Sequence, residues 1–218
     1  AETTEQALDA AEMVDVELDQ LPAAADVGRA MAPDAPAIWP DAPGNIALDW
    51  EDGDRAAVDA AFSRAAHVER VKLADTRLAP SAMEPRAAIA SFDAQSGRYT
   101  LMAPTQGVAV VRKLLAEGVF GIPANQIRIV TCDVGGGFGM KVPAYSEYAA
   151  LMFAARRIGR PVKWCATRLE SFLTDTHGRD GELEGELALD GRGKFLGLRV
   201  RTCVGLGAYT STFAAIFS

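Results

Sequence analysis

Metal ligands are scarce in this sequence. Its 218 residues include 3 cysteines and 2 histidines, and Cys132, Cys165 and Cys203 stand far apart with no C-x-x-C pair. Zinc sites and iron–sulfur clusters draw ligands at short fixed spacings, so neither can be assembled locally from Cys, His67 or His177. An odd, dispersed cysteine set also speaks against a secreted disulfide framework and fits a reducing, cytoplasmic setting. Long apolar runs are missing too. No stretch approaches the ~18 residues of a membrane span, and the acidic N-terminal stretch lacks the basic-then-apolar order of a signal peptide. Basic residues are in deficit, with 22 Lys and Arg against 29 Asp and Glu, for a formal net charge of −7. That balance disfavours nucleic acid and anionic membrane as partners, since both attract a positive surface.

A hydrophobic content of 49% excludes disorder, and the length admits one large domain or two small ones. Thr3 and Gln6 have capping-box spacing ahead of a short helix over 4–12. Val14, Val16 and Leu18 then alternate with acidic residues as in a strand. Pro22, Pro33, Pro36, Pro40 and Pro43 make 22–45 a connector in which no regular element is expected. Ala57, Val58, Ala61, Phe62 and Ala65 recur at helical spacing, followed by a strand over 67–73. Strands over 86–92 and 98–103 flank a turn-rich loop of hairpin length. A helix over 107–116 buries Val108, Val111, Leu114 and Leu115 and ends near Gly118 and Gly121. A strand over 126–134 leads into a glycine cluster and then a helix over 145–158, with Tyr145, Tyr148, Ala149, Met152 and Phe153 on its apolar face. Pro161–Cys165 reads as a strand, and 182–189 with 195–204 as a hairpin whose Asp190-Gly191 supplies the positive φ. The class is α+β, with hairpins beside one strand–loop–helix unit.

Gly135-Gly136-Gly137-Phe138-Gly139-Met140-Lys141 is the sharpest local feature. Glycines between a strand and a helix let the backbone approach a ligand and turn N–H groups toward it. The dinucleotide fingerprint fails because its sixth position is Met140, and a Walker loop fails because Lys141 lies between Met140 and Val142. The same glycines equally suit a tight crossing of packed strands. Gln106, in Pro104-Thr105-Gln106, ends a strand before a helix, where an amide can project into a site lined by backbone N–H groups. Glu84 and Arg86 in Met83-Glu84-Pro85-Arg86 read as a structural ion pair. Arg168, Glu170, Asp175, His177, Arg179 and Asp180 read as solvated surface charge, and two histidines without a local signature support no nucleophilic triad.

Taken in order, Met83-Glu84-Pro85-Arg86, Thr105-Gln106-Gly107, Asp133-Val134 with the glycine cluster through Lys141, Gly159-Arg160-Pro161-Val162-Lys163-Trp164 and Thr167-Arg168-Leu169-Glu170 resemble the molybdopterin-binding large subunit of the xanthine dehydrogenase and aldehyde oxidase family. Val142-Pro143-Ala144-Tyr145 and Thr176-His177-Gly178-Arg179-Asp180 look like its carbon monoxide dehydrogenase-like branch. Val142 stands where xanthine dehydrogenases typically have Glu, which speaks against a purine substrate.

The resemblance implies the end of an α/β hammerhead-like domain over 1–21, the connector over 22–45, and the first molybdopterin-binding portion, with mixed sheets and helices, over 46–218. It makes Gln106 the residue whose amide contacts an oxygen ligand of molybdenum. Gly136, Gly137, Phe138 and Gly139 become cofactor-binding, with Phe138 approaching the metal's ligands through its backbone. It further implies a molybdopterin cofactor in the cytosine dinucleotide form, whose dithiolene holds the metal. An iron–sulfur small subunit and an FAD-binding medium subunit would be partners, besides the remainder of the large subunit. The reaction would be oxidation of an aldehyde, an N-heterocycle or a carbon monoxide-like small molecule. The catalytic glutamate or copper-binding cysteine of such enzymes would lie further downstream. A start without Met and the apolar run up to Phe217 and Ser218 suggest a piece of a longer chain, inactive by itself. Two alternatives stand beside this one: a naturally short split subunit or non-catalytic scaffold, and a nucleotide-binding domain that uses the glycine loop.

Overall fold

In a computed structural model that describes residues 1–209, the chain falls into two compact units, one over Ala1–Glu51 and one from Asp52 onward. The apolar run to Phe217 lies outside the described residues. In the first unit, helix α1 (Thr4–Glu12) opens with a full capping box: the Thr3 hydroxyl accepts the Gln6 N–H, and the Gln6 side chain accepts the Thr3 N–H. The strand expected around Val14, Val16 and Leu18 does not form. All three are exposed and no strand among the described residues pairs with them, so alternation alone gains neither a ladder nor burial. The connector, conversely, is not wholly irregular. It carries the single-turn helix α2 (Val27–Ala30), capped by Asp26, and a 3-10 turn at Pro43–Asn45. Pro43 sits at the first helical position, where its missing N–H is no loss. Asn45 then draws the prolines together: its Oδ1 accepts the Ile38 N–H at 2.8 Å, and its Nδ2 donates to Ala30 O at 2.8 Å and Pro36 O at 3.0 Å.

The second unit holds two sheets. Strands β1 (His67–Asp75), β6 (Gly181–Leu189) and β7 (Phe195–Val204) form an antiparallel sheet in the order β1-β6-β7. Helix α3 (Arg55–Ser63), capped by Asp54, packs on β7. Gly197 gives it room, since a Cβ there would lie 3.0 Å from that of Ala61. The β6–β7 turn corrects the sequence expectation: the positive φ belongs to Gly193, at 79°, and not to Gly191. Asp190 Oδ1 accepts the N–H groups of Arg192 and Lys194 at 2.8 and 2.9 Å. The side chain thus builds the first part of the turn and moves the left-handed residue further along.

The other sheet has the order β4-β3-β2-β5, from β2 (Ala87–Asp93), β3 (Arg98–Met102), β4 (Ile127–Val130) and β5 (Val162–Cys165). β2 is antiparallel to both β3 and β5, and β3 is parallel to β4. The C-terminal ends of β3, β4 and β5 therefore share one edge with the N-terminal end of β2. β4 is shorter than the strand expected over 126–134, because residues 131–134 leave the ladder toward that edge. The β3–β4 crossover runs through α4 (Val108–Lys113) and a π-helical stretch, Leu114–Phe120, closed by left-handed Gly121 at φ 61°. Val111 and Leu115 are buried there as expected, whereas Val108 is exposed.

Helix α5 (Ser146–Ile158) covers one face of the sheet, with Tyr148, Leu151, Met152 and Ala155 against Ala88, Ala90, Tyr99 and Leu101. The expected apolar stripe is rotated. The i, i+3, i+4, i+7 series starts at Tyr148, Phe153 is 58% exposed, and Tyr145 stands before the helix as its N-cap. Helix α6 (Arg168–Thr174) follows β5 with a second capping box, Thr167 and Glu170. The mixed sheets and helices match the α+β expectation. No helix among the described residues is long and apolar enough to cross a membrane.

Candidate functional site

Four segments meet at the shared edge of the mixed sheet: residues 82–86 before β2, 103–107 after β3, 131–142 after β4, and 166–168 after β5. In open sheets the carboxyl ends of parallel strands are where loops can surround a ligand. β3 and β4 stay in register past their ends, since Ala103 N–H donates to Val130 O at 3.0 Å. The chain after β3 then turns onto the loop after β4. Thr105 Oγ1 donates to Lys141 O at 2.9 Å and accepts the Gly107 N–H at 3.1 Å, while Gln106 N–H donates to the same Lys141 oxygen at 3.0 Å.

The Gln106 side chain points into the glycine loop. Its Oε1 accepts the N–H groups of Gly139 at 3.1 Å and Lys141 at 3.3 Å. Backbone N–H groups only donate, so the oxygen must face them and the NH₂ group must face away. Gln106 is exposed, and its amide thus offers a directed donor on the open side of the edge.

Each glycine of the loop has its own reason. A Cβ at Gly137 would lie 2.3 Å from Gln106 Cδ and Oε1, and one at Gly135 would lie 2.5 Å from Glu84 Cβ. These two permit close approach. Gly136 and Gly139 have φ of 100° and 84°, where a side chain is strained. Phe138 adopts φ 51° without being glycine, an uncommon conformation for a bulky residue, and its ring is 75% exposed. The loop is thus both a close crossing with the segment before β2 and an open backbone surface.

The partners of Glu84 and Arg86 differ from the sequence expectation, because neither pairs with the other. Glu84 Oε2 accepts the Gly135 N–H and the Lys141 ammonium, each at 2.8 Å, and Lys141 Nζ also donates to Glu84 O at 2.8 Å. Burial works to raise the Glu84 carboxyl, but the hydrogen bonds from Lys141 and Gly135 and the Lys141 charge outweigh it and hold the group below the usual carboxylate range. Arg86 is completely buried. Its Nε donates to Asp175 Oδ1 at 2.5 Å, and its Nη2 to Glu147 Oε1 at 2.9 Å and Thr174 Oγ1 at 2.8 Å. The guanidinium lies 3.7 Å from the Tyr145 ring centroid.

Asp175, read in the sequence as solvated, is 7% exposed, because the end of α6 turns inward to meet Arg86. Burial pushes the Tyr148 phenol up to about 12 and raises that of Tyr145. Tyr145 Oη donates to Met140 O at 2.6 Å and accepts the Thr176 N–H at 3.2 Å, which ties the end of the loop to the segment after α6.

A groove of about 210 Å³ opens beside Glu84, with Met102, Pro104, Cys132, Asp133 and Trp164 in its lining. The histidines lie elsewhere: His67 bonds Glu69 at 2.7 Å and His177 bonds Phe172 O at 3.1 Å, both exposed. Among the described residues no three His, Cys, Asp or Glu side chains are placed to hold a metal ion. What this edge offers a bound group is backbone N–H donors and one oriented amide.

Residues 38–218 match the family model of the molybdopterin cofactor-binding domain. The chain is 38% identical over 215 residues to the carbon monoxide dehydrogenase large chain of Hydrogenophaga pseudoflava, a match that covers 93% of this chain and 27% of that one. Among solved structures, reconstituted CO dehydrogenase from Oligotropha carboxidovorans superposes with a TM-score of 0.82 at 34% identity, over 91% of this chain and 26% of that one. Quinoline 2-oxidoreductase from Pseudomonas putida 86 gives 0.83 at 31% identity, over 97% and 27%. The chain therefore spans about a quarter of the length of these relatives.

Proposed function

The chain belongs to the molybdopterin cofactor-binding domain family, and from that membership we propose that the edge formed by Gln106, Gly136, Gly137, Phe138 and Gly139 is one wall of a molybdopterin site in the large subunit of a molybdenum-dependent hydroxylase or dehydrogenase. The residues fit such a group. The Gln106 oxygen is engaged by Gly139 and Lys141, so its NH₂ is held ready to donate, and a Cβ at Gly139 would meet nothing within 4 Å, so the loop backbone there borders open space. When bound, the cofactor supplies the redox chemistry of a metal held by the pterin dithiolene. The protein's part is orientation and hydrogen bonding. Gln106 Nε2 would donate a hydrogen bond to the bound group and would be the catalytic residue of this segment. The Phe138–Gly139 backbone would line the same group, and Gly136 and Gly137 would complete that wall.

The substrate class is an aldehyde, an N-heterocycle or a carbon monoxide-like small molecule, in keeping with relatives whose names include both carbon monoxide and quinoline. The cofactor is the cytosine dinucleotide form. The partners are the remainder of the large subunit, an iron–sulfur subunit and an FAD-binding subunit, in the cytoplasm, and residues 1–21 are the tail of a hammerhead-like domain. The observation that carries this reading is the pair of backbone N–H bonds, from Gly139 and Lys141, that engage the oxygen of the exposed Gln106 amide and leave its NH₂ as the free donor face. Full-length complexes carrying Gln106→Ala test it: at molybdenum content matched to wild type, turnover should fall by about 10²-fold, in the range for a lost oriented donor. Equal turnover at equal molybdenum would sink the assignment.

A further inference from the structure

We propose that Glu84 and Lys141 form a clasp that sets the direction of the Gln106 amide, which makes both of them positioning residues of the site; the inference rests on the molybdopterin reading of this edge. Lys141 meets Gln106 twice through its backbone, since its carbonyl accepts the Gln106 N–H and its own N–H donates to Gln106 Oε1. Its side chain leaves in another direction, to Glu84 O and Oε2. The Lys141 side chain has no solvent exposure, and its ionic partner is Glu84, whose side chain is 38% exposed. A buried ammonium cannot drift from its carboxylate without becoming an unpaired interior charge, so the Lys141 backbone is held where the Gln106 oxygen finds it.

The same Glu84 oxygen accepts the Gly135 N–H. Gly135 and Lys141, the first and last residues of the loop, are thereby fastened to one carboxylate, and the residues between them span a closed ring. Gly135 lacks a side chain because Glu84 passes there, just as Gly137 lacks one because Gln106 does. Plain stabilisation does not call for an ion pair, since apolar residues of similar volume often serve as well or better. What the pair adds is direction, at the residue whose N–H orients the amide. The bonds from Lys141 and Gly135 hold the Glu84 carboxyl below its ordinary range against the opposing effect of burial, so Glu84 stays ionised further into acid.

The test begins on the cofactor-free full-length subunit, with amide hydrogen exchange at Gly139 and Lys141. Glu84→Gln and Lys141→Met should each speed exchange there by about tenfold, as a locally opened loop would, and leave β3 and α5 unchanged. The charge-neutral double variant Glu84→Gln/Lys141→Met should be no faster than either single one. In the assembled complex, at matched molybdenum content, Glu84→Gln should lower kcat by about tenfold with KM within about twofold. In a Gln106→Ala background it should lower kcat no further, since coupled residues are non-additive.

Unchanged exchange at Gly139 and Lys141 overturns the clasp and leaves the molybdopterin reading standing. Loss of protection throughout β3 and α5, even in the neutral double variant, overturns it in favour of simple structural support. An equal kcat loss with and without Gln106 shows that the effect does not pass through the amide, and overturns it too. Absence of molybdenum from the wild-type complex is a different failure, that of the cofactor reading itself.

Discussion

Gly137→Ala should destabilise the protein only while Gln106 is present. The added Cβ would lie 2.3 Å from Gln106 Cδ and Oε1 and 2.8 Å from Cγ. Comfortable carbon contacts are ~3.5–4.0 Å, so the amide must retreat by more than about 1 Å. That movement breaks the bonds from Gly139 and Lys141 to Oε1, now 3.1 and 3.3 Å long. Each is worth about 0.5–1.5 kcal/mol net, for a loss of about 1–3 kcal/mol. Gly137 does not have a left-handed φ, so alanine can take its backbone conformation, and the stiffer unfolded chain returns about 0.4–1 kcal/mol. The difference is a net loss of about 0–2.6 kcal/mol, centred at ~1.3, in a wild-type background. With Gln106→Ala the obstructing atoms are gone, and the same substitution becomes neutral or slightly stabilising. Equilibrium urea unfolding of the cofactor-free protein, across the four members of the double-mutant cycle, measures the change of sign. The same penalty in both backgrounds would refute the reasoning. In the loaded complex Gly137→Ala should cost about 10²-fold in turnover, the scale of a 1 Å misplacement.

Arg86→Met should cost about 3–5 kcal/mol, because it removes the cationic partner of Asp175, whose side chain is 4% exposed; a shift in denaturation midpoint measures this, and a change within the error of the assay contradicts it. Tyr145→Phe strips Met140 O of its donor and the Thr176 N–H of its acceptor, for a loss of about 1–3 kcal/mol in the same assay. Acid should weaken the fold through Glu84 and Glu147. In both, burial works upward but is outweighed, for Glu84 by bonds from Lys141 and Gly135 and for Glu147 chiefly by its bond from Arg86, so both carboxyls are held low in the folded state. A lowered folded pKa means a contribution that is complete above the ordinary carboxylate value, about pH 4, and is lost as pH falls through the folded value. Unfolding curves taken downward from neutral pH should show this loss, shallower in Glu84→Gln, and a fold that strengthens on acidification would contradict the sign.

Local patterns in the chain carried most of the elements. The capping pair Thr3 and Gln6, the period of Ala57 to Phe62 and the turn residues between 93 and 97 each act within a few positions, and each forms the element its spacing suggests. Patterns that depend on a distant surface were less reliable. Val14, Val16 and Leu18 alternate without a partner strand, and the face of α5 turned toward Tyr148 and Leu151 because the sheet beneath it decides which residues are covered. At the edge of the mixed sheet, Gln106 and the glycine cluster stood out through their residue types and order. The partners of Glu84, Arg86 and Asp175 did not, because those bonds join positions from separate elements that only the β4-β3-β2-β5 order brings together. The one available sign was chemical: a lysine two residues after a glycine cluster, between Met140 and Val142, needs a carboxylate from elsewhere.

The parallel pairing of β3 with β4 also has a consequence in time. Gln106 and the glycine loop emerge from adjacent strands, about 4.8 Å apart in a sheet, yet α4 and the π-helical stretch separate them along the chain. A hairpin such as β2–β3 can close early, whereas a parallel pair must first bring distant residues together against the entropy of the intervening chain. Until that crossover has docked, Gly139 and Lys141 have no glutamine to meet and the donor has no direction. A bound group that uses the Gln106 donor therefore depends on the docked crossover as well as on the loop itself.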